Sequence, residues 1–420
     1  MHDEITTGRA DDFAEGMQSP EINSLAKPAW FRSDASLGFS LELMQRSALN
    51  VWLDRYKTFA LLLTNTLLLL LLLNAALWAG LALYTALKSK RFQKMREAYP
   101  AMNNSEFVAL YAETWTSGFE YAPWVGFREK PHAGSYVNVT SDGFRRTHRR
   151  DLSLDAEGLN VYVFGGSTTF GYGVPDGDTI PAQLQLQFDA IYPERRINVF
   201  NFGRGSYYFT QEVSLLEQLL REGHTPDVAI FIDGLNEGQT APGYTEELRS
   251  LFEASSYHRS ALLQTYMSQT STALFLKKLA RRTQDAALIS TSQTPETIRA
   301  SYNYNREIVR MLAAKFGFRT HFFIQPIPGY RNSFGRHPYL PNGWPAGVGE
   351  HLQARMTQLE EEAHQTDTVS IAGVLADYPE QPFCDKVHYT PAVCKLIART
   401  IAGHINTLEP RARIVSAGEP

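Results

Sequence analysis

The sequence predicts an α/β fold: a three-layer α/β/α sandwich on a parallel five-stranded sheet, preceded by one transmembrane helix. Three observations carry this expectation. Apolar runs near 160–165, 197–202, 227–232, 319–325 and 367–371 read as buried strands. Helical patterns near 179–191, 210–222, 301–316 and 390–407 alternate with them, and such alternation argues for a parallel sheet with helices on both faces. Upstream, residues 58–87 contain no charge and include an unbroken run of leucine at 67–73.

Taken in order, residues 1–57 begin polar and acidic, carry several breakers, and read as a partly disordered tail. Within them, 37–56 has a mixed apolar pattern suited to a helix lying on a membrane surface. About 20 apolar residues cross a bilayer, so 58–87 spans one with length left for tilt. The run starts too late and is too long for a cleaved leader. Trp78 and Tyr84 suit an interfacial zone, and Lys57 and Lys88 bound the span. Arg46, Arg55 and Lys57 precede it, whereas Lys88, Lys90, Arg91, Lys94 and Arg96 follow it. By the positive-inside rule alone, that excess retains the remainder of the chain in the cytoplasm.

Residues 88–157 read as a juxtamembrane helix over 91–116, with a local break at NNSE (103–106), and a lead-in with strand-like alternation at 118–146. The lead-in is expected to pack on the edge of the main domain, 158–410; residues 411–420 are a short tail. A helix-leaning insertion, 238–297, leaves directly after Asn236 and is either a cap over the site or a surface appendage. The loop at 325–349 holds five prolines together with His337, Tyr339 and Trp344, and is expected to line the cleft.

Chemistry concentrates in four places. FGGSTTFG at 164–171 sets Ser167 behind the first strand and at the start of a helix, with glycines that leave its hydroxyl uncovered. At the other end of the domain, FCDKVHYTPAVCKLIA carries Asp385 and His388 three residues apart. A serine alcohol needs a base to become a nucleophile, and a carboxylate fixes the tautomer of that base. Two further strands end in FGRGS (202–206) and in GLNE (234–237). Glycine lets a backbone N–H approach a substrate oxygen, and the Asn236 amide can point an N–H into the same crevice.

These four segments, in this order, resemble the blocks of the SGNH hydrolase superfamily, the GDSL-like esterases and lipases, over roughly 158–407. GGSTTFG stands where the name-giving version reads GDSL, and GLNE where GxND is commoner. The resemblance implies a flavodoxin-like sheet with Ser167 as nucleophile, His388 as base and Asp385 as its orienting carboxylate. It implies oxyanion donors from the Ser167 N–H, Asn236, and the N–H of either Gly205 or Ser206. It also implies a membrane-anchored esterase or deacetylase acting on an ester-bearing small molecule, lipid or acylated envelope glycan. An O-acyltransferase using the same triad and a catalytically silent glycan-binding module are the alternatives. Similarity to extracytoplasmic anchored esterases, with the two cysteines, favours a periplasmic or extracellular catalytic domain.

Cys384 and Cys394 bracket Asp385 and His388; they are either a disulfide stiffening that loop or two free thiols. A formal charge of −4 argues against a nucleic-acid partner. No zinc spacing, P-loop or dinucleotide fingerprint is present in the sequence, so no metal and no cofactor are expected.

Overall fold

The computed structural model describes residues 35–87, 95–116, 118–149, 152–237, 293–337, 339–340, 342–345, 347–405 and 408. The N-terminal tail up to 34, the C-terminal tail, and the insertion up to residue 292 lie outside the described residues.

Helix α1, Ala35–Leu87, is continuous. The sequence has no proline between Pro28 and Pro100, so nothing interrupts the hydrogen-bond ladder where a separate surface helix was expected to end near residue 56. Segment 37–56 therefore runs straight into the leucine-rich stretch. Ser47–Gly80 is long and apolar enough to cross a membrane, and none of it is buried by the protein.

The juxtamembrane segment is broken after Met95 and Arg96, and a second helix, α2 (Asn104–Thr116), begins beyond Pro100. A reciprocal cap starts it. Asn103 Oδ1 accepts the Glu106 N–H at 3.0 Å, and Glu106 Oε2 accepts the Asn103 N–H at 2.8 Å. Strands β1 (Phe119–Ala122) and β2 (Gly126–Glu129) form an antiparallel hairpin. The two-residue strands β3 (His132–Ala133) and β4 (Asn138–Val139) pair next. Arg145 then bridges both Val139 and Asn201, which ties the lead-in to the edge of the main sheet.

The core alternates as the apolar pattern requires. In chain order it runs β5 (Leu159–Gly165), α3 (Ser167–Phe170), α4 (Ile180–Ile191), β6 (Ile197–Asn201), α5 (Phe209–Arg221) and β7 (Val228–Asp233). It continues through α6 (Pro295–Phe316), β8 (Arg319–Ile324), α7 (Val348–Ala363), β9 (Thr368–Ser370) and α8 (Pro391–His404). The sheet order is β6-β5-β7-β8-β9, every neighbouring pair parallel. The connection leaving β5 runs one way, to β6, and the one leaving β7 runs the other way, to β8. The crevice between the carboxyl ends of β5 and β7 is thus a topological switch point, where such sheets hold their ligands.

Both faces of the sheet are buried, and they differ in kind. Tyr162, Phe164, Phe200, Phe231 and Phe322 point to one side, under α5, α6 and α7. Phe164 and Phe231 stack at 4.9 Å between ring centres, Phe231 and Phe322 at 5.5 Å. Val161, Val163, Val199, Ile230 and Ile232 point to the other, under α4 and α8. Helix α7 has no counterpart among the predicted helices. Leu352, Met356, Leu359 and Ala363 form its buried stripe at helical spacing, within a run otherwise rich in Gln and Glu.

Candidate active site

Gly165 ends β5, Gly166 caps α3, and Ser167 is the first residue of that helix. The loops that close on this turn come too near for side chains in two places. A Cβ on Gly166 would lie 2.5 Å from Asn236 Nδ2, and one on Gly203 would lie 2.2 Å from the Phe170 nitrogen. Two anchors hold the turn. The wholly buried Arg145 guanidinium donates to the carbonyls of Phe170 (3.0 Å), Gly171 (2.7 Å) and Val174 (2.7 Å), and pairs with Asp176 at 2.8 Å. On the other side Thr168 Oγ1 donates to Gln325 Oε1 at 2.7 Å, an acceptor shared with the Tyr389 hydroxyl at 2.9 Å.

The segment before α8 folds as a tight loop, with Phe383 and Tyr389 bridged and the Cys384 N–H donating to the His388 carbonyl at 2.9 Å. Asp385 Oδ1 accepts the backbone N–H groups of Val387 (2.9 Å) and His388 (2.8 Å). Its Oδ2 lies 2.6 Å from His388 Nδ1, and His388 Nε2 lies 2.8 Å from Ser167 Oγ. Burial alone would raise the Asp385 carboxyl pKa. The adjacent imidazole and the hydrogen bonds from its ring and from the two backbone N–H groups outweigh this and hold it below the ordinary value. An ionised Asp385 makes Nδ1 the protonated nitrogen and leaves Nε2 free to accept from the serine hydroxyl. Tyr172 stacks on the His388 ring at 5.4 Å, and Trp115 meets it edge-on at 5.5 Å.

His337, the histidine of the proline-rich loop, has a different place. It is buried, its Nε2 lies 3.0 Å from the Lys386 carbonyl, and its Nδ1 accepts from the N–H groups of Tyr339 and Leu340. Both ring nitrogens are engaged, Nε2 with the Asp385–His388 loop and Nδ1 within its own loop, and burial lowers its pKa. The proline-rich loop and the start of α7 line a cavity of about 460 Å³ that includes Tyr330, Phe334, Trp344 and Leu352 and none of Ser167, Asp385 and His388.

Asn236 follows β7 and the turn at Gly234. Its Nδ2 donates to the Tyr207 carbonyl at 2.7 Å, leaving the second amide hydrogen. Arg355 from α7 fixes the turn: it donates to the Leu235 carbonyl at 2.8 Å and to the Glu237 carbonyl. Beneath lie three buried carboxyls, Glu212, Asp233 and Glu237. Burial is the chief cause that raises all three, reinforced at Glu212 by the charges of Asp233 and Glu237. Glu237 is pushed up to about 7, although the Phe209 N–H and Arg355 oppose the shift. Burial in turn pushes the Arg355 guanidinium down to about 10.

The assignment of Gly205 as oxyanion donor requires correction. Its N–H donates to Glu129 Oε1 at 2.6 Å and is not free for a substrate oxygen. Ser206, the other residue left open by the sequence, has φ +62° and no backbone acceptor for its N–H among the described residues. A left-handed conformation costs a non-glycine residue roughly 1–3 kcal/mol and persists only where its surroundings hold it. The cysteines resolve as well: Cys384 and Cys394 are both free and both buried. Glu129, Arg145, Trp115 and Arg355 were not among the residues singled out from sequence, because isolated charges or a single tryptophan outside any motif carry no local signal.

No protein-family model matches the chain, and no curated protein matches it. Solved structures do. A lipolytic protein of the G-D-S-L family from Veillonella parvula superposes at 13% identity and a TM-score of 0.34, covering 58% of this chain and 97% of its own. A carbohydrate acetylesterase family member from Sinorhizobium meliloti gives 13%, 0.34, 59% and 97%. A variant of an acetyl xylan esterase from Geobacillus stearothermophilus gives 14%, 0.34, 62% and 100%.

Proposed function

We propose that the chain is a serine esterase anchored by α1. The observation that carries this reading is the hydrogen-bonded relay Ser167 Oγ–His388 Nε2–Asp385 Oδ2, at 2.8 and 2.6 Å, assembled from residues 221 positions apart. Ser167 attacks the ester carbonyl carbon as its proton passes to His388 Nε2. The carbonyl oxygen becomes an oxyanion and is received by the N–H groups of Ser167 and Ser206 and by the second amide hydrogen of Asn236. Collapse expels the alcohol, which takes the proton from His388, and leaves an acyl-serine. Water, deprotonated by the same imidazole, attacks the acyl carbon and releases the acid and the serine. Asp385 stays ionised throughout and steadies the imidazolium.

An esterase tethered by an apolar helix meets acylated glycan or lipid at the membrane, and these are the substrate classes we assign. The test is hydrolysis of p-nitrophenyl esters of increasing acyl length by the full chain in detergent. Ser167→Ala should lower kcat by roughly 10³-fold or more and abolish labelling by a fluorophosphonate probe. Unchanged turnover in that variant would refute the reading. Acetyl transfer to a glycan outpacing hydrolysis would redirect it to an acyltransferase, and an unlabelled wild-type chain to a binding module.

A further inference from the structure

We infer that Glu129, from the lead-in hairpin outside the α/β domain, is a positioning residue for the oxyanion loop; this rests on the esterase reading above. Ser206, whose N–H is assigned to the oxyanion, is held in a left-handed conformation. The hairpin grips the loop on both sides of it. On the N-terminal side, Gly205 N–H donates to Glu129 Oε1 at 2.6 Å, and Glu129 Oε2 faces Arg204 Nη1 at 3.5 Å. On the C-terminal side, the Tyr207 hydroxyl donates to the Phe127 carbonyl, and Gln211 Nε2 donates to the Val125 carbonyl at 2.9 Å. The Tyr207 carbonyl in turn accepts from Asn236, so one loop aligns two of the three proposed donors.

Glu129 and Arg204 are 1% and 2% exposed. A buried ion pair adds little to stability over an apolar pair of the same volume. What an apolar pair cannot supply is a directed acceptor for the Gly205 N–H. That acceptor turns the 205 peptide away from the substrate and leaves the next N–H, that of Ser206, to face it. Glu129 also lies 3.5 Å from the hydroxyl of Tyr172, the ring stacked on His388, so it touches both halves of the centre. It meets no reacting atom; its effect passes through Gly205.

The experiment is steady-state hydrolysis of p-nitrophenyl acetate by the full chain, with circular dichroism to verify folding. Glu129→Ala should lower kcat about 10- to 100-fold, short of the roughly 10²–10³ expected for complete loss of a donor, with KM within about threefold. Glu129→Gln keeps an oxygen for the Gly205 N–H and should recover kcat to within about fivefold of wild type. Adding Ser206→Gly to Glu129→Ala should restore part of the loss, since glycine adopts the left-handed conformation unaided. A trifluoromethyl ketone, captured by Ser167 as an oxyanionic adduct, should lose affinity in step with kcat/KM. If Glu129→Ala turns over at the wild-type rate, or if the Ala and Gln variants lose equally, the inference is wrong. Should Glu129→Ala fail to fold, Glu129→Asp must lower kcat about tenfold at unchanged KM, and an undiminished kcat overturns the claim. Full activity in Ser167→Ala would strike the esterase reading instead, whereas its loss alongside an active Glu129→Ala strikes only this inference.

Discussion

Asp385 makes three hydrogen bonds within its own loop, whatever its proposed part in catalysis. It is therefore held at a fixed distance from the ring it orients, and the local geometry depends little on the rest of the domain. Asp385→Asn should preserve the fold yet lower kcat by roughly 10³–10⁴-fold, because an amide can donate to Nδ1 as well as accept from it and so favours the wrong tautomer. The measurement is kcat against KM for a p-nitrophenyl ester; a loss seen only in KM would contradict the role. The same local character made these residues legible in sequence. A serine behind two glycines, and an aspartate three residues before a histidine, announce themselves without tertiary information. Gly205 and Ser206 could not be separated that way. The deciding contact is Glu129, 76 positions upstream, and a glutamate in a polar lead-in reads as solvated until the fold buries it.

At the scale of elements, the turn after β7 is built over three buried carboxyls and one buried guanidinium. The carboxyl of Glu237 is ordinarily near 4.5 and rises to about 7 in the folded chain, first through burial. The folded state thus holds that proton more tightly than the unfolded state does. Its contribution to stability is complete below the ordinary value and is lost as pH climbs through about 7. Thermal melting followed from pH 5 to 8.5 should show a falling Tm across this window. Glu237→Gln should flatten the dependence, and a Tm that rises through the same interval would contradict the account. The five strands were legible because a sheet buried on both faces demands continuous apolar runs. Helix α7 was not, since its four core residues are diluted by Gln and Glu and follow a proline-rich loop. The lead-in showed strand-like alternation in sequence, but not that Arg145 would reach three carbonyls just after Ser167.

For the whole molecule, an apolar helix and an α/β domain share one chain, and each is described by its own chemistry. Leu61, Leu69 and Leu71 are 63%, 66% and 69% exposed, a surface that water does not tolerate over such a length. Expressed in cells, the chain should sediment with membranes, resist carbonate extraction and be released by detergent. Recovery in the soluble fraction after carbonate would remove the anchor from the proposal.

Neither cysteine is bonded, and burial raises both thiols well above their ordinary range. Each stays uncharged and sheltered at neutral pH, so neither competes for an electrophile with Ser167, the proposed nucleophile. Alkylating reagents and strong reductants should leave the native chain untouched, and a serine-directed label can be read against a silent sulfur background.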